Sequence, residues 1–189
     1  MFHHVSVFNV TSIKMVRFQV FALFIVLCIE FSHSSNQTLY EQERTYIMVK
    51  PDGVHRGLVH EIIKRFERKG LKLIGMKLIM AQRQAVADHY KHLKNEPFYS
   101  GLIDYITSGP VIPMVWEGYN AVKFGRDIIG KTNPSESPIG TIRGDFCLSQ
   151  GLTVVHGAHS VNEAQREIGI WFKPSELVSW EPALQEWVD

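Results

Sequence analysis

The sequence predicts an α+β sandwich of the ferredoxin-like type, a βαββαβ chain whose four-stranded antiparallel sheet is covered by helices. Two observations carry that expectation. Runs rich in β-formers alternate with stretches whose apolar residues recur at helical spacing, and glycine, proline or a capping serine marks each change of period. No internal repeat or low-complexity tract interrupts the order.

Arg44 to Val49 reads as the first strand and ends at Lys50-Pro-Asp-Gly53, a turn signal that leaves the lysine at the strand's end. Val59, Ile62, Ile63 and Phe66 then follow helical spacing, and Gly70 provides the stop. Leu71 to Met80 reads as a second strand, with Gly75 at a bulge or a close contact. Val86, Tyr90 and Leu93 mark another helical face. After the Ser108-Gly-Pro110 break comes the third strand, Val111 to Trp116. Pro113 falls inside it and has no ladder donor, so it is expected near the strand's first residues or at a bulge. One more helix covers roughly Asn120 to Ile129, and Thr153 to Val155 is the fourth strand. Ser160-Val-Asn-Glu163 starts the last helix, because a serine and a glutamate three residues on can satisfy orphan amides reciprocally. That helix turns Ala164, Ile168 and Trp171 toward the core.

Composition sets the bounds. The chain has 189 residues and 45% hydrophobic content, enough for one domain with a core plus an extension. Removing Lys14 and Arg17 from 20 basic residues, and Glu30 from 19 acidic ones, leaves 18 of each. No global field therefore draws in nucleic acid or membrane, and any anion site must be local. The two cysteines, Cys28 and Cys147, make no disulfide framework and no zinc-ligand spacing.

Residues 1–38 are expected to be a leader and 39–189 the folded domain. Residues 1–29 carry no Asp or Glu, and Phe18 to Ile29 is apolar apart from Gln19, with Lys14 and Arg17 just before it. Such a run is short for a membrane span and suits the apolar region of a secretory signal, with Ser32-His-Ser34 offering small residues for cleavage near residue 34. Export is the leading expectation, with Met15 an alternative start; a signal anchor or a mitochondrial leader is the alternative. In an exported chain Asn36-Gln-Thr38 would be a glycosylation acceptor.

Gly151-Leu-Thr-Val-Val-His156-Gly157 delivers one histidine from a β-type run into a glycine turn and on to a capped helix. An imidazole so held can be a nucleophile, and Thr141-Ile-Arg143-Gly-Asp145 lies upstream to receive phosphate. The plain alternative is a hydrogen-bonded core histidine.

Several segments in one order and spacing favour the chemistry. Glu43-Arg-Thr-Tyr-Ile-Met-Val-Lys50-Pro-Asp-Gly53, His55-Arg-Gly-Leu58, Ser108-Gly-Pro110, Met114-Val-Trp-Glu117, Gly140-Thr-Ile-Arg-Gly-Asp-Phe146 and Glu167-Ile-Gly-Ile-Trp-Phe172 resemble the nucleoside diphosphate kinases, from about Glu43 to Trp187. The resemblance implies a ping-pong transfer of the γ-phosphoryl of a nucleoside triphosphate such as ATP to a diphosphate, through a phosphohistidine at His156. It implies that Glu167 accepts a hydrogen bond from the other ring nitrogen, and that Lys50, Tyr90, Arg126, Thr132 and Arg143 hold phosphate. Arginine suits that work because its planar fork grips phosphate oxygens bidentately. Phe98 matches the aromatic on which the family stacks the base, and stacking tolerates any base. Mg2+ is expected with the nucleotide phosphates rather than in a cage of carboxylates. The family's hexamers make a homo-oligomer the expectation here, the loop around Asn133-Pro134 resembling the segment used in assembly.

Three departures bear on activity. Thr153 stands where the family carries a sugar-binding asparagine, Leu152 replaces a basic neighbour, and Gly157-Ala158-His159 replaces Gly-Ser-Asp. A lost hydrogen bond at Thr153 would cost about 1 kcal/mol. These changes leave open a catalytically impaired relative that binds nucleotides or partners. Arg143-Gly-Asp145 also spells an adhesion tripeptide, a role that requires an exposed loop tip.

Overall fold

The computed structural model describes residues 42–183; the leader, Asn36 and Trp187 lie outside the described residues. The element order is β1 (Gln42–Val49), α1 (Pro51–His55), α2 (Val59–Arg68), β2 (Lys72–Met76), β3 (Ile79–Met80), α3 (Arg83–His89), α4 (Tyr99–Thr107), β4 (Pro110–Tyr119), α5 (Ala121–Ile129), α6 (Ile142–Phe146), β5 (Val155–Gly157) and α7 (Val161–Trp171).

The sheet is antiparallel in the order β2-β4-β1-β5, and the two-residue β3 pairs with β4 to make a fifth strand. β1 is buried continuously from Thr45 to Val49 because both of its faces are covered. The period of two sorts it cleanly. Tyr46 and Met48 join one core with Val86 of α3, Ile103 and Ile106 of α4, and Ala164 and Trp171 of α7. Ile47 and Val49 join the other with Ile62 and Phe66 of α2, Ile129 of α5 and Ile142 of α6.

Leu71 to Met80 is two strands rather than one. β2 carries a register shift between Leu73 and Gly75, and a Cβ on Gly75 would lie 2.8 Å from Leu177 Cδ2, so both anticipated roles of that glycine are present. Pro113 sits fourth in β4, deeper than expected, and pairs with Met48 without a bulge in that ladder. Its carbonyl accepts from Lys77 N at 3.2 Å. In an antiparallel strand the N–H and C=O of one residue face the same neighbour, so the missing donor faces the break between β2 and β3.

Three further expectations change. Lys50-Pro-Asp-Gly53 is not a free turn: Pro51 opens α1, where its absent N–H costs nothing. α4 was unanticipated, because Tyr99, Ile103, Tyr105 and Ile106 are β-favouring by type. The fourth strand starts two residues late, at Val155, because Val154 has φ +46° and cannot lie in a ladder.

Candidate active site

β5 places His156 opposite Met48 of β1, and strand alternation turns the imidazole to the side of Tyr46, Tyr90 and Trp171. Ring centroids lie 6.0 Å from Tyr46, 5.8 Å from Tyr90 and 4.5 Å from His89. The residue is buried to all but 9%. Its Nε2 lies 2.9 Å from Glu167 Oε2 and 3.1 Å from Oε1, which engages one ring nitrogen and leaves Nδ1 as the other. Glu167 is fully buried, not the exposed helix glutamate that its sequence context alone would suggest.

Burial and the neighbouring positive groups hold the His156 imidazole far below its usual range, so the ring is neutral. Burial raises the Glu167 carboxyl, Glu163 adds to this, and Arg166 opposes it with Nη2 at 3.5 Å from Oε1. A bare Nδ1 requires the proton on Nε2 and hence an ionised Glu167 to accept it. Each donor directed at that carboxylate therefore favours the nucleophilic form.

The three predicted cations converge on the same short segment. Arg143 Nη2 donates to Val155 O at 3.2 Å and Arg126 Nη1 to Gly157 O at 3.3 Å, so the guanidiniums flank His156. Lys50 Nζ donates to Thr153 Oγ1 at 2.7 Å. Burial, with Arg143 nearby, pushes Lys50 down to about 8, and burial, with Arg126 nearby, pushes Arg143 down to about 10. Cations that repel one another in a partly dry site are relieved by an anion. Arg143 Nε is buried without a hydrogen-bond partner among the described residues.

Tyr90 follows α3 and is buried, its hydroxyl unpaired among the described residues. Phe98 is 55% exposed just before α4, so it is not a core residue. Thr132 is exposed and caps no helix; Asn133 caps the following 3-10 turn instead. Arg143 is only 6% exposed, and Asp145 is tied to Arg65 Nη2 at 2.7 Å and to Gly140 N at 2.8 Å, which removes the adhesion tripeptide as a surface motif. Ser160 Oγ accepts from Glu163 N at 3.1 Å, but Glu163 Oε2 reaches His159 N at 2.8 Å rather than the cap residue's amide.

The backbone entering β5 is strained. Val154 takes left-handed φ and its neighbours close a three-residue turn, Val155 N to Thr153 O, a conformation a β-branched residue adopts only under constraint. The constraint comes from the start of α1. Val154 O accepts from Lys50 N at 2.9 Å, and Val154 N donates to Asp52 Oδ2 at 3.1 Å, while Tyr105 OH holds Asp52 Oδ1. Asp52, Tyr105 and His89 were not singled out from sequence, and Trp171 was expected only as a core residue of the last helix. The only signal was negative: polar and aromatic residues at positions that the helical spacing turns inward.

A sequence profile described as nucleoside diphosphate kinase matches residues 43–177, most of the chain. The chain belongs to the nucleoside diphosphate kinase family. Nucleoside diphosphate kinase A of Rattus norvegicus is 55% identical over 146 residues, 77% of this chain and 96% of the relative. The nucleoside diphosphate kinase of Drosophila melanogaster is 53% identical over 147 residues, 78% of this chain and 96% of the relative. A crystal structure of a nucleoside diphosphate kinase family protein from Babesia bovis superposes with a TM-score of 0.76 at 51% identity, covering 78% of this chain and 99% of that one. A nucleoside diphosphate kinase from Halobacterium salinarum, solved in complex with CDP, superposes at 0.77 with 42% identity, covering 79% and 99%. In this nucleoside diphosphate kinase the departures surround the strained turn: Thr153 and Ala158 are buried, while Leu152 and His159 are exposed.

Proposed function

We propose that this phosphotransferase moves the γ-phosphoryl of ATP, or another nucleoside triphosphate, to a nucleoside diphosphate through His156. In the first half-reaction the Nδ1 lone pair attacks the γ-phosphorus, the bond to the bridging β–γ oxygen breaks, and the diphosphate leaves with that electron pair. In the second, a terminal oxygen of the incoming diphosphate attacks the same phosphorus and the N–P bond returns its electrons to Nδ1. The observation that carries this is the pairing of His156 Nε2 with buried Glu167, between two arginines that hang on the carbonyls before and after the nucleophile.

Roles follow from position. Arg126, Arg143 and Lys50 meet the phosphate charge, with Tyr90 and Thr132 as further contacts, and Phe98 offers an open ring face to a base of any kind. Mg2+ enters as the companion of the nucleotide phosphates. Assembly as a homo-hexamer and export through a cleaved leader belong to the same proposal; light scattering and sequencing of the mature N-terminus test them.

One observation supports a second reading, the impaired relative. Lys50 is already bonded to Thr153, where the family's asparagine would meet the sugar. Incubation with γ-labelled ATP followed by unlabelled diphosphate separates the two. Acid-labile label on the wild type, absent from His156→Ala and chased into the diphosphate, is the expected result. Nucleotide binding without label supports the impaired relative.

A further inference from the structure

His89, the last residue of α3, is fully buried and packs edge-on against the His156 ring, centroids 4.5 Å apart, with both rings beside the Glu167 carboxylate. Its Nδ1 accepts from Trp171 Nε1 at 3.0 Å. An indole nitrogen can only donate, so His89 Nδ1 must be unprotonated and the single proton of the neutral ring sits on Nε2. The ring is neutral because burial, then Arg166, push it down to about 3. Nε2 has no hydrogen-bond partner among the described residues and lies 3.4 Å from Glu167 Oε1, while His156 Nε2 lies 2.9 Å from Oε2. The ligating atoms of all three side chains fall within 4.8 Å of one another.

Resting on the phosphohistidine reading, we infer that His89 is a positioning residue. Trp171 fixes its tautomer and so leaves Nε2–H as the donor within reach of Glu167, where it helps the carboxylate remain the acceptor for the His156 Nε2 proton. His156 Nδ1 is thereby kept as the nitrogen that takes the phosphoryl. A distance of 3.4 Å is longer than a formed bond, and such contacts tighten when charge develops. Charge does develop here. As the Nδ1–P bond forms and the bridging oxygen departs, the imidazole becomes cationic and its Nε2 proton moves toward Oε2. Oε1, facing His89 and Arg166, holds the remaining negative charge until that transfer completes. The groups facing the carboxylate are His156 from β5, His89 from α3, Tyr90 just beyond it, Tyr46 from β1, and Arg166 and Glu163 from α7 itself.

The competing explanation is that His89 merely fills space. His89→Leu, His89→Gln and Trp171→Phe distinguish the two in single-turnover phosphorylation by γ-labelled ATP across pH, with thermal melting of each variant and phosphorus NMR of the phosphoenzyme. Removing the donor raises the Glu167 carboxyl further, so the acid limb of the His89→Leu profile moves to higher pH by about one unit, or about tenfold in rate on that limb. Half-saturation by ATP stays within about twofold, because the lost interaction acts on the nucleophile and not on substrate binding. Glutamine, whose amide nitrogen reaches the Nε2 position, restores the rate to within about threefold. Trp171→Phe frees the tautomer and gives a smaller shift in the same direction, with part of the phosphoryl on Nε2 of His156. A folded His89→Leu with the wild-type rate and pH profile overturns the positioning role, as does a His89→Gln no better than leucine. A wild type that takes no label overturns the phosphohistidine reading itself, and the inference with it.

Discussion

Helix α2 and the segment from Thr153 to Gly157 both reach the core of one domain, yet they obey opposite rules. α2 follows its sequence: Ile62 and Phe66 point inward at four-residue spacing, Arg68 stays outside near the positive-charge-tolerant C-terminal turn, and Arg65 in the same turn is half-buried but paired with Asp145 and Glu61. The His156 segment goes against its sequence. Val154 occupies a backbone region suited to glycine, His156 is buried together with Glu167 and His89 from elsewhere in the chain, and the strand is three residues long. Regular regions supply stability, and the irregular one spends it on the placement of a single nitrogen.

The sharpest way to break this contrast is to remove the nitrogen. His156→Ala abolishes acid-labile label while leaving the chain folded by circular dichroism; residual chaseable label at the wild-type level would place the chemistry elsewhere. Phe66→Ala does the reverse, costing about 3–5 kcal/mol in urea melts with the active-site geometry of the surviving folded fraction intact. Gly157→Ala sits where the two regions meet. A Cβ there would lie 2.4 Å from Ile129 Cδ1 and 3.0 Å from Ile47 Cδ1, so it costs about 1–3 kcal/mol by overpacking and also slows phosphorylation. Valine substitutions sharpen the comparison further. Val154→Gly relieves a positive φ and Val155→Gly does not, so at equal burial the former costs about 1 kcal/mol less in denaturant titration. The smallest effect is a titration. Lys50 is held down to about 8, so its charge is lost as pH rises through that value, and kcat/KM for the triphosphate falls there; Lys50→Arg moves the fall to higher pH.

The same contrast explains what could be read in advance. The strands around Tyr46 and Trp116, the Ser160 cap and the inward face of α7 were legible because periodicity and capping are local. The strand-to-turn run singled out His156 and the segment upstream of it pointed to Arg143; the resemblance added Glu167, Lys50 and Arg126, and the structure gathers these five around one turn. The break at Lys77-Leu78 was not legible, because it answers to Pro113 across the sheet. α4 was missed because tertiary packing overrides the β preference of its aromatic and branched residues. The displaced start of β5 and the roles of Asp52 and His89 depend on partners a hundred and about eighty residues away, which no window along the chain contains.

Those distant partners bear on how the protein comes into being. Lys50 and Asp52 meet Thr153 and Val154 across sequence separations of 103 and 102 residues. Loops that long close late, after nearer contacts have already formed. A ribosome-bound fragment that stops short of β5 would possess most of the hydrophobic cores but neither His156 nor Glu167, so the candidate site comes together only once nearly the whole domain has been made.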